Sequence, residues 1–380
     1  MRICLLYDCL YPHTVGGAER WYRNLALRLA AEGHDVTYVT MRQWDRGTDP
    51  DLPGVRVVAA APRMALYSGP GERRIAPPLV FGAGVLWHLL RHGRRYDVVH
   101  TASFPYFSLL AAGVARPLGR FRLVVDWHEL WSRDYWQAYL GGVGGRVGWA
   151  VQALCLRVPQ RAFCFARMTA DRLRAERVRG EVTVLEGEYA GSLSPREPLP
   201  AEPRVVFAGR HIAEKRAPAV VAAVAAARSR VPGLRATIFG DGPERPAVQE
   251  AIAAFGVADV VDAPGFVDGE VLHATMDRAL CLLHPSVREG YGLVVVEASA
   301  AGVPTIVVDH PDNAAVELIE EGVNGFVAAS DSPADLADAI ARVHAAGPAL
   351  RASTADWFAR NAQRLSIDGS LDVVAAAYAA

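Results

Sequence analysis

The sequence predicts an α/β protein of two Rossmann-like, doubly wound domains, each a parallel sheet with helices on both faces, facing one another across a cleft. Three observations predict this. Short β-branched runs alternate with longer helical patterns from the first residues onward, the signature of repeated strand–helix–strand units. The alternation stops once, where Gly, Ser, Pro and Glu crowd together, and then restarts. A length of 380 residues is too great for one ordinary core and comfortable for two.

In chain order, residues 2–7 read as a buried strand, 18–31 as a helix and 35–40 as the next strand. The pattern repeats with a strand at 98–101, a helix at 107–115 and a strand at 121–126. The break falls at 186–203, around G-S-L-S-P-R-E-P-L-P-A-E-P. Beyond it come a strand at 204–208, a helix at 220–229 and a strand at 234–239, then strands at 260–262, 279–283 and 305–308. The expected organisation is a first domain at 1–188, a linker at 189–203, a second domain at 204–356 and a helical tail at 357–380 beyond the second sheet. In such sheets ligands sit outside the carboxyl ends of the strands.

Hydrophobic residues make up 51% and charged residues 21%, the composition of a packed globular protein. Lys+Arg 40 against Asp+Glu 41 leaves a net charge of -1, so no global basic field argues for a nucleic-acid partner. The five cysteines are scattered and show no C-x-x-C spacing, which fits a reducing cytoplasm better than a disulfide framework. The N-terminus reads directly as the first strand and leaves no room for a signal peptide. The apolar stretches at 79–90 and 143–158 are too short or too interrupted to span a bilayer. The expectation is a soluble, or at most peripheral, protein.

The strongest local signal is H-P-S-V-R-E-G-Y-G-L-V-V-V-E-A-S-A-A-G-V-P, at 284–304. Glu289 follows a strand, and Glu297 lies eight positions on, about two helical turns, which would put both carboxylates on one helix edge. Gly290 and Gly292 leave amides at the helix N-terminus open to an anion. The plainer reading of the same spacing is a capped helix with two solvated acids. A second piece, G-R-H-I-A-E-K at 209–215, follows the first strand of the second domain. There Arg210 and Lys215 supply a fork and a point charge suited to a diphosphate. A third, F-G-D-G-P-E at 239–244, places Gly240 and Gly242 in a turn after the next strand. In the first domain Gly16 and Gly17 open a helix, within G-G-A-E-R, as a phosphate-binding turn or a plain loop. His128 ends a strand in V-V-D-W-H-E-L-W, where a lone histidine is usually structural.

These motifs together resemble family 4 of the retaining glycosyltransferases, the glycogen-synthase and mannosyltransferase-like group with the GT-B fold. The resemblance is dense over 204–330, and rests on two short motifs in the first 190 residues. It implies that Glu289 contacts the donor sugar and that the amides of Gly290, Tyr291, Gly292 and Leu293 reach its hydroxyls and phosphate. Glu297 would hold the ribose. Arg210 and Lys215 would grip the diphosphate, with Glu214 orienting Lys215, and Gly240 and Gly242 would turn beside the nucleotide. Phe266 and Val267 fall in the family's base-binding segment, Gly17 is the phosphate candidate of the first domain, and His128 would point toward the anomeric carbon. The flanks of His128, Asp126-Trp127 before it and Glu129-Leu130-Trp131 after it, depart from the family pattern.

The function so implied is retaining transfer from a UDP-, GDP- or dTDP-sugar to a glycan, lipid-linked or small-molecule hydroxyl. The nucleotide-sugar is a co-substrate, and no cofactor or metal is expected. The only D-x-D, Asp49-Pro50-Asp51, lies far from the donor motifs and reads as a solvated turn. Two other readings share the donor class. One is a non-hydrolysing sugar-nucleotide 2-epimerase, which has the same two-domain fold but lacks the paired-glutamate signature and needs further acid/base residues. The other is an inactive partner subunit that only binds sugar nucleotide or glycan, against which intact Glu289, Arg210 and Lys215 argue. For the acceptor, the aromatic segment containing Trp127, Trp131, Trp136 and Trp149 offers flat rings for a sugar face, or simply core packing. Glycines at 141–148 suggest a mobile stretch there, and Arg133 and Arg146 suit contact with an anionic lipid surface.

Overall fold

The computed structural model describes residues 1–380 except 15, 46, 49, 67–73 and 380; Asp49 of the D-x-D therefore lies outside the described residues. The chain forms two compact units, Met1–Glu188 with Ile367–Ala380, and Tyr189–Ser366.

The first unit runs β1 (Arg2–Leu6), α1 (Gly17–Ala31), β2 (Asp35–Met41), β3 (Val55–Ala61), α2 (Ala76–His92), β4 (Val98–Ala102), α3 (Tyr106–Gly119), β5 (Arg122–Trp127), α4 (Arg133–Arg157), β6 (Arg161–Cys164), α5 (Arg167–Ala175) and β7 (Val182–Val184). Its seven strands are parallel in the order β3-β2-β1-β4-β5-β6-β7, so the winding reverses between β1 and β4. The central strands carry apolar residues on both faces because helices cover both. One face presents Cys4, Leu6, Val99, Leu123, Val125 and Trp127 to residues of α2, α3 and α4. By strand alternation His100 and Asp126 point the other way, where Trp21 and Tyr22 of α1 are buried.

The second unit runs β8 (Arg204–Ala208), α6 (Ala217–Ala227), β9 (Arg235–Phe239), α7 (Arg245–Phe255), β10 (Val261–Gly265), α8 (Gly269–Met276), β11 (Cys281–His284), α9 (Leu293–Ala300), β12 (Thr305–Val308), β13 (Gly325–Ala328) and α10 (Pro333–Leu365). Its six parallel strands lie in the order β10-β9-β8-β11-β12-β13, with the reversal between β8 and β11. The core gathers Val205, Phe207, Ile238, Leu283 and Ile306 of the strands with Val220, Val224, Leu336 and Ile340 of the helices. The Ser332 hydroxyl caps α10 by accepting from the Asp335 amide at 3.2 Å.

Two expectations change. The residues from 357 do not form a tail beyond the second sheet. Trp357 and Phe358 are buried within α10, whereas α11 (Ile367–Ala379) returns to the first unit, packing with α1 through Arg28, which reaches Asp368 at 3.2 Å and Asp372 at 2.9 Å. The glycines at 141–148, expected between regular elements, fall inside α4, which kinks at Gly141 (φ +73). A Cβ on Gly145 would lie 2.6 Å from the Gln137 Cα and the Trp136 carbonyl, so that glycine is there for close packing of the two halves.

Candidate active site

In the second unit the loops after β8 and β11, neighbours at the winding reversal, bring the basic and acidic motifs together. After β8 the chain passes Gly209 and exposed Arg210 into a single 3-10 turn, Ala213–Lys215. After β11 it loops to Glu289. The Lys215 ammonium is ion-paired with Glu289 Oε2, and the same oxygen lies 2.8 Å from His284 Nε2. Ser286 Oγ sits 3.2 Å from that ring nitrogen. The backbone fixes the carboxylate from behind: the Glu289 amide donates to Asp312 O at 2.9 Å, and its carbonyl accepts from the Ala314 amide at 3.0 Å. The Val287 amide donates to Glu214 O at 3.0 Å, tying the two loops to each other.

Burial works to raise the Glu289 carboxyl, but the Lys215 ammonium and the His284 ring more than offset it and hold the group well below the usual carboxylate range. Burial lowers His284 below the ordinary histidine value, with Glu289 pulling the other way. The arrangement is therefore an anion, a cation and a neutral imidazole that donates Nε2–H to Glu289. Sequence reasoning passed over His284, although it opens the strongest motif and terminates the strand five residues before the glutamate.

The spacing argument for Glu289 and Glu297 does not hold. Glu289 lies before α9, and Gly292 (φ +102) turns the backbone between them as the N-cap, with no side chain capping the helix. A Cβ at Gly292 would stand 2.9 Å from that of Ala315, so only glycine fits both the dihedral and the space. Gly290 and Leu293 flank it, Tyr291 is buried, and Glu297 lies within α9. Glu297 adds to the burial that raises the Tyr189 phenol.

The glycine turn after β9 clasps the arginine–lysine loop. Gly240 (φ +115) and Gly242 (φ +152) lie against the backbone carbonyls of Gly209 and His211. The His211 amide donates to Asp241 O, and its carbonyl accepts from the Glu244 amide, both at 2.8 Å. The His211 ring is buried and lowered by that burial, with the Phe239 backbone pulling the other way. Phe266, after β10, is exposed, and Val267 is half-buried.

In the first unit Gly16 is the N-cap of α1, with no side chain of its own to cap the helix, and Gly17 is its first residue. His128 follows β5 on the side of Asp126. Its ring stacks on Phe165, centroids 4.9 Å apart at 1°, and its buried Nε2 has no hydrogen-bond partner. Burial lowers it, Asp126 opposes that, and His100 adds to it, so the net effect is a neutral ring. Beneath it lies a buried polar chain unforeseen from sequence. The Tyr378 hydroxyl is 2.5 Å from His100 Nδ1, His100 Nε2 approaches Asp126 Oδ1 to 2.8 Å, and Trp21 Nε1 donates to Asp126 Oδ2 at 2.7 Å. Burial pushes the Asp126 carboxyl up, but His100, His128 and Trp21 together bring it below its ordinary value.

The aromatic segment needs correction. Trp127 is fully buried and donates to Gln160 Oε1 at 2.8 Å; Trp136 is buried and donates to Gln152 Oε1 at 3.2 Å. Their indole N–H groups are satisfied inside the first core, so neither presents a face to an acceptor. Trp131 is half-buried, stacked on Phe104 at 6.0 Å and edge-on to Tyr135 and Tyr139. Arg133 lies over the Trp149 ring, 4.1 Å from its centroid.

Two parallel-sheet units of this kind match the GT-B architecture, and comparison with known proteins gives the family. The family described as Glycosyl transferases group 1 matches residues 194–362, and Glycosyltransferase Family 4 matches residues 15–187. The chain belongs to the family 4 type of glycosyltransferases. It is 28% identical to glycogen synthase of Mycobacterium tuberculosis over 366 residues, covering 90% of this chain and 85% of that one. It is also 28% identical to D-inositol 3-phosphate glycosyltransferase of Actinosynnema mirum over 392 residues, covering 96% and 92%. Among solved structures, sucrose-phosphate synthase from Thermosynechococcus elongatus superposes with a TM-score of 0.79 at 21% identity, covering 99% and 98%. Anabaena HepE in complex with UDP and glucose superposes with a TM-score of 0.73 at 18% identity, over 100% of each chain.

Proposed function

We propose that this glycosyltransferase moves a sugar from a UDP-, GDP- or dTDP-sugar to a glycan, lipid-linked or small-molecule hydroxyl, in the cytoplasm, without a metal and with retention of configuration. The observation that carries the reading is the Lys215–Glu289–His284 cluster at the carboxyl ends of β8 and β11. The acceptor oxygen forms its bond to the anomeric carbon on the face from which the nucleoside diphosphate departs. As the carbon–oxygen bond to phosphate breaks, a phosphate oxygen takes the acceptor proton. Arg210 and Lys215 stabilise the leaving charge that a metal would otherwise neutralise. Glu289, held ionised, accepts from the sugar hydroxyls, and neutral His128 offers a ring nitrogen that no protein group engages. The UDP and glucose of the HepE complex support a nucleotide-sugar donor. Five free, buried cysteines are consistent with a reducing compartment.

The test is a panel of sugar nucleotides scored by thermal stabilisation and by nucleoside diphosphate release, with product anomeric configuration read by NMR. One donor should raise the melting point and be cleaved with retention. No stabilisation by any member of the panel, or inversion at the anomeric carbon, sinks the proposal.

A further inference from the structure

The first unit carries an apolar surface on α2 and α3 that the transfer reaction does not use. On α2, Leu79, Trp87 and Leu90 share one stripe at helical spacing, and Trp87 is 63% exposed. On α3, Val114 and Leu118 are exposed, Val114 at 65%. The two helices end side by side: Arg94 Nε donates to Leu118 O at 3.2 Å, and a Cβ on Gly93 would meet the Gly119 Cα at 3.4 Å. Single exposed apolar residues are ordinary; a run of them across two adjoining helices marks an interaction surface.

Charge identifies the partner. From residue 74 to 125 the sequence holds seven arginines and one acid, Asp97, within a chain of net charge -1. Arg2 engages that aspartate at 2.7 Å. Arg91, Arg94 and Arg95 close the end of α2, exposed, with the Arg91 guanidinium 5.1 Å from the Trp87 ring centroid. Arg120 stands exposed just past the end of α3. A second copy docking through this face about a two-fold axis would set the arginines against themselves. An anionic bilayer accepts both halves of the pattern, Trp87 and Leu90 at the acyl boundary and the guanidinium groups among the phosphates. Among the described residues no helix is long and apolar enough to cross a membrane, so the contact is with the surface.

We infer that α2 and the end of α3 dock this protein on an anionic lipid surface. This places the lipid contact away from Arg133 and Arg146 on α4, where sequence reading put it. The full chain is sedimented, with no sugar nucleotide present, with vesicles of phosphatidylcholine and phosphatidylglycerol in equal parts, and with phosphatidylcholine alone. It binds the anionic vesicles, roughly tenfold or more tighter than the neutral ones, and binding falls as salt rises. Arg91→Gln, Arg94→Gln and Arg95→Gln combined lose roughly a hundredfold, about fivefold for each arginine near an anionic surface. Trp87→Ser with Leu90→Ser abolishes binding while the melting point stays put, since both side chains are exposed. Equal binding to both vesicle types, binding to neither, or loss that follows unfolding overturns the inference. So does a dimer in solution that Leu90→Ser dissociates, which would assign the face to a second copy. Because no donor takes part, failure of the transferase reading leaves this result unaffected, and the converse also holds.

Discussion

Replacing Glu289 with Gln preserves the outline of the side chain and removes its charge, and the structure says how stability and activity should separate. Oε2 receives the Lys215 ammonium and lies 2.8 Å from His284 Nε2, with the Lys215 and Glu289 side chains 18% and 16% exposed. Removing one member of a fully buried pair costs about 3–5 kcal/mol. Some water still reaches this pair, so about 1–3 kcal/mol is expected, or a melting shift of several degrees for a unit of this size. The contacts to Lys215 and His284 are what couple the substitution to folding. Turnover should fall further, by roughly two orders of magnitude, as when a transition-state contact is lost. The pH profile separates the effects. Because the folded carboxyl sits below its unfolded value, the unfolded chain binds more protons near pH ~4, so this stability is complete above about 4.3 and fades as pH falls below it. The assay is paired melting curves and initial rates for both proteins across pH. A melting difference that persists undiminished into acid, or wild-type turnover in the variant, refutes the reasoning.

Three further expectations follow from the same contacts. Activity should survive excess chelator; collapse with rescue by magnesium or manganese would show that Arg210 and Lys215 do not suffice for the diphosphate. Tyr378→Phe strips His100 Nδ1 of its partner in a dry site and should lower stability by about 1–3 kcal/mol, read by thermal melting; no change would mean the hydroxyl bond contributes nothing. Trp131→Ala should raise the Michaelis constant for acceptor and leave donor affinity alone, whereas Trp136→Ala should cost about 3–5 kcal/mol of stability; matching effects from both would return Trp131 to the core.

The fold was legible because strand periodicity is local: the strands expected at 204–208 and 305–308 coincide with β8 and β12. The family motifs were legible for a related reason, since Gly240 and Gly242 are demanded by backbone approach that no other residue tolerates. What sequence could not carry was pairing between distant segments. Nothing near Lys215 announces that its ammonium is held by Glu289, 74 residues away. The tryptophans misled because an indole suits a sugar face and a core equally; Gln160 and Gln152, which settle Trp127 and Trp136 as core residues, lie 33 and 16 positions off. His100, Asp126 and Tyr378 were invisible for the same reason, the last being 278 residues from its partner.

The return of α11 makes the second unit an insertion within the first. Tyr189 and Ser366, its two ends, pair as a β-bridge, so the chain enters and leaves that unit at neighbouring points. On the ribosome the first half of the protein therefore emerges early yet cannot finish. His100 waits without Tyr378, and the Gly187 amide waits without the Ser370 hydroxyl it reaches at 3.1 Å. The second unit, one continuous run, can close as soon as it is made. The segment that completes the first unit is thus made only after the whole of the second, and a chain stopped at Ser366, without α11, would leave that unit open however well the rest had folded.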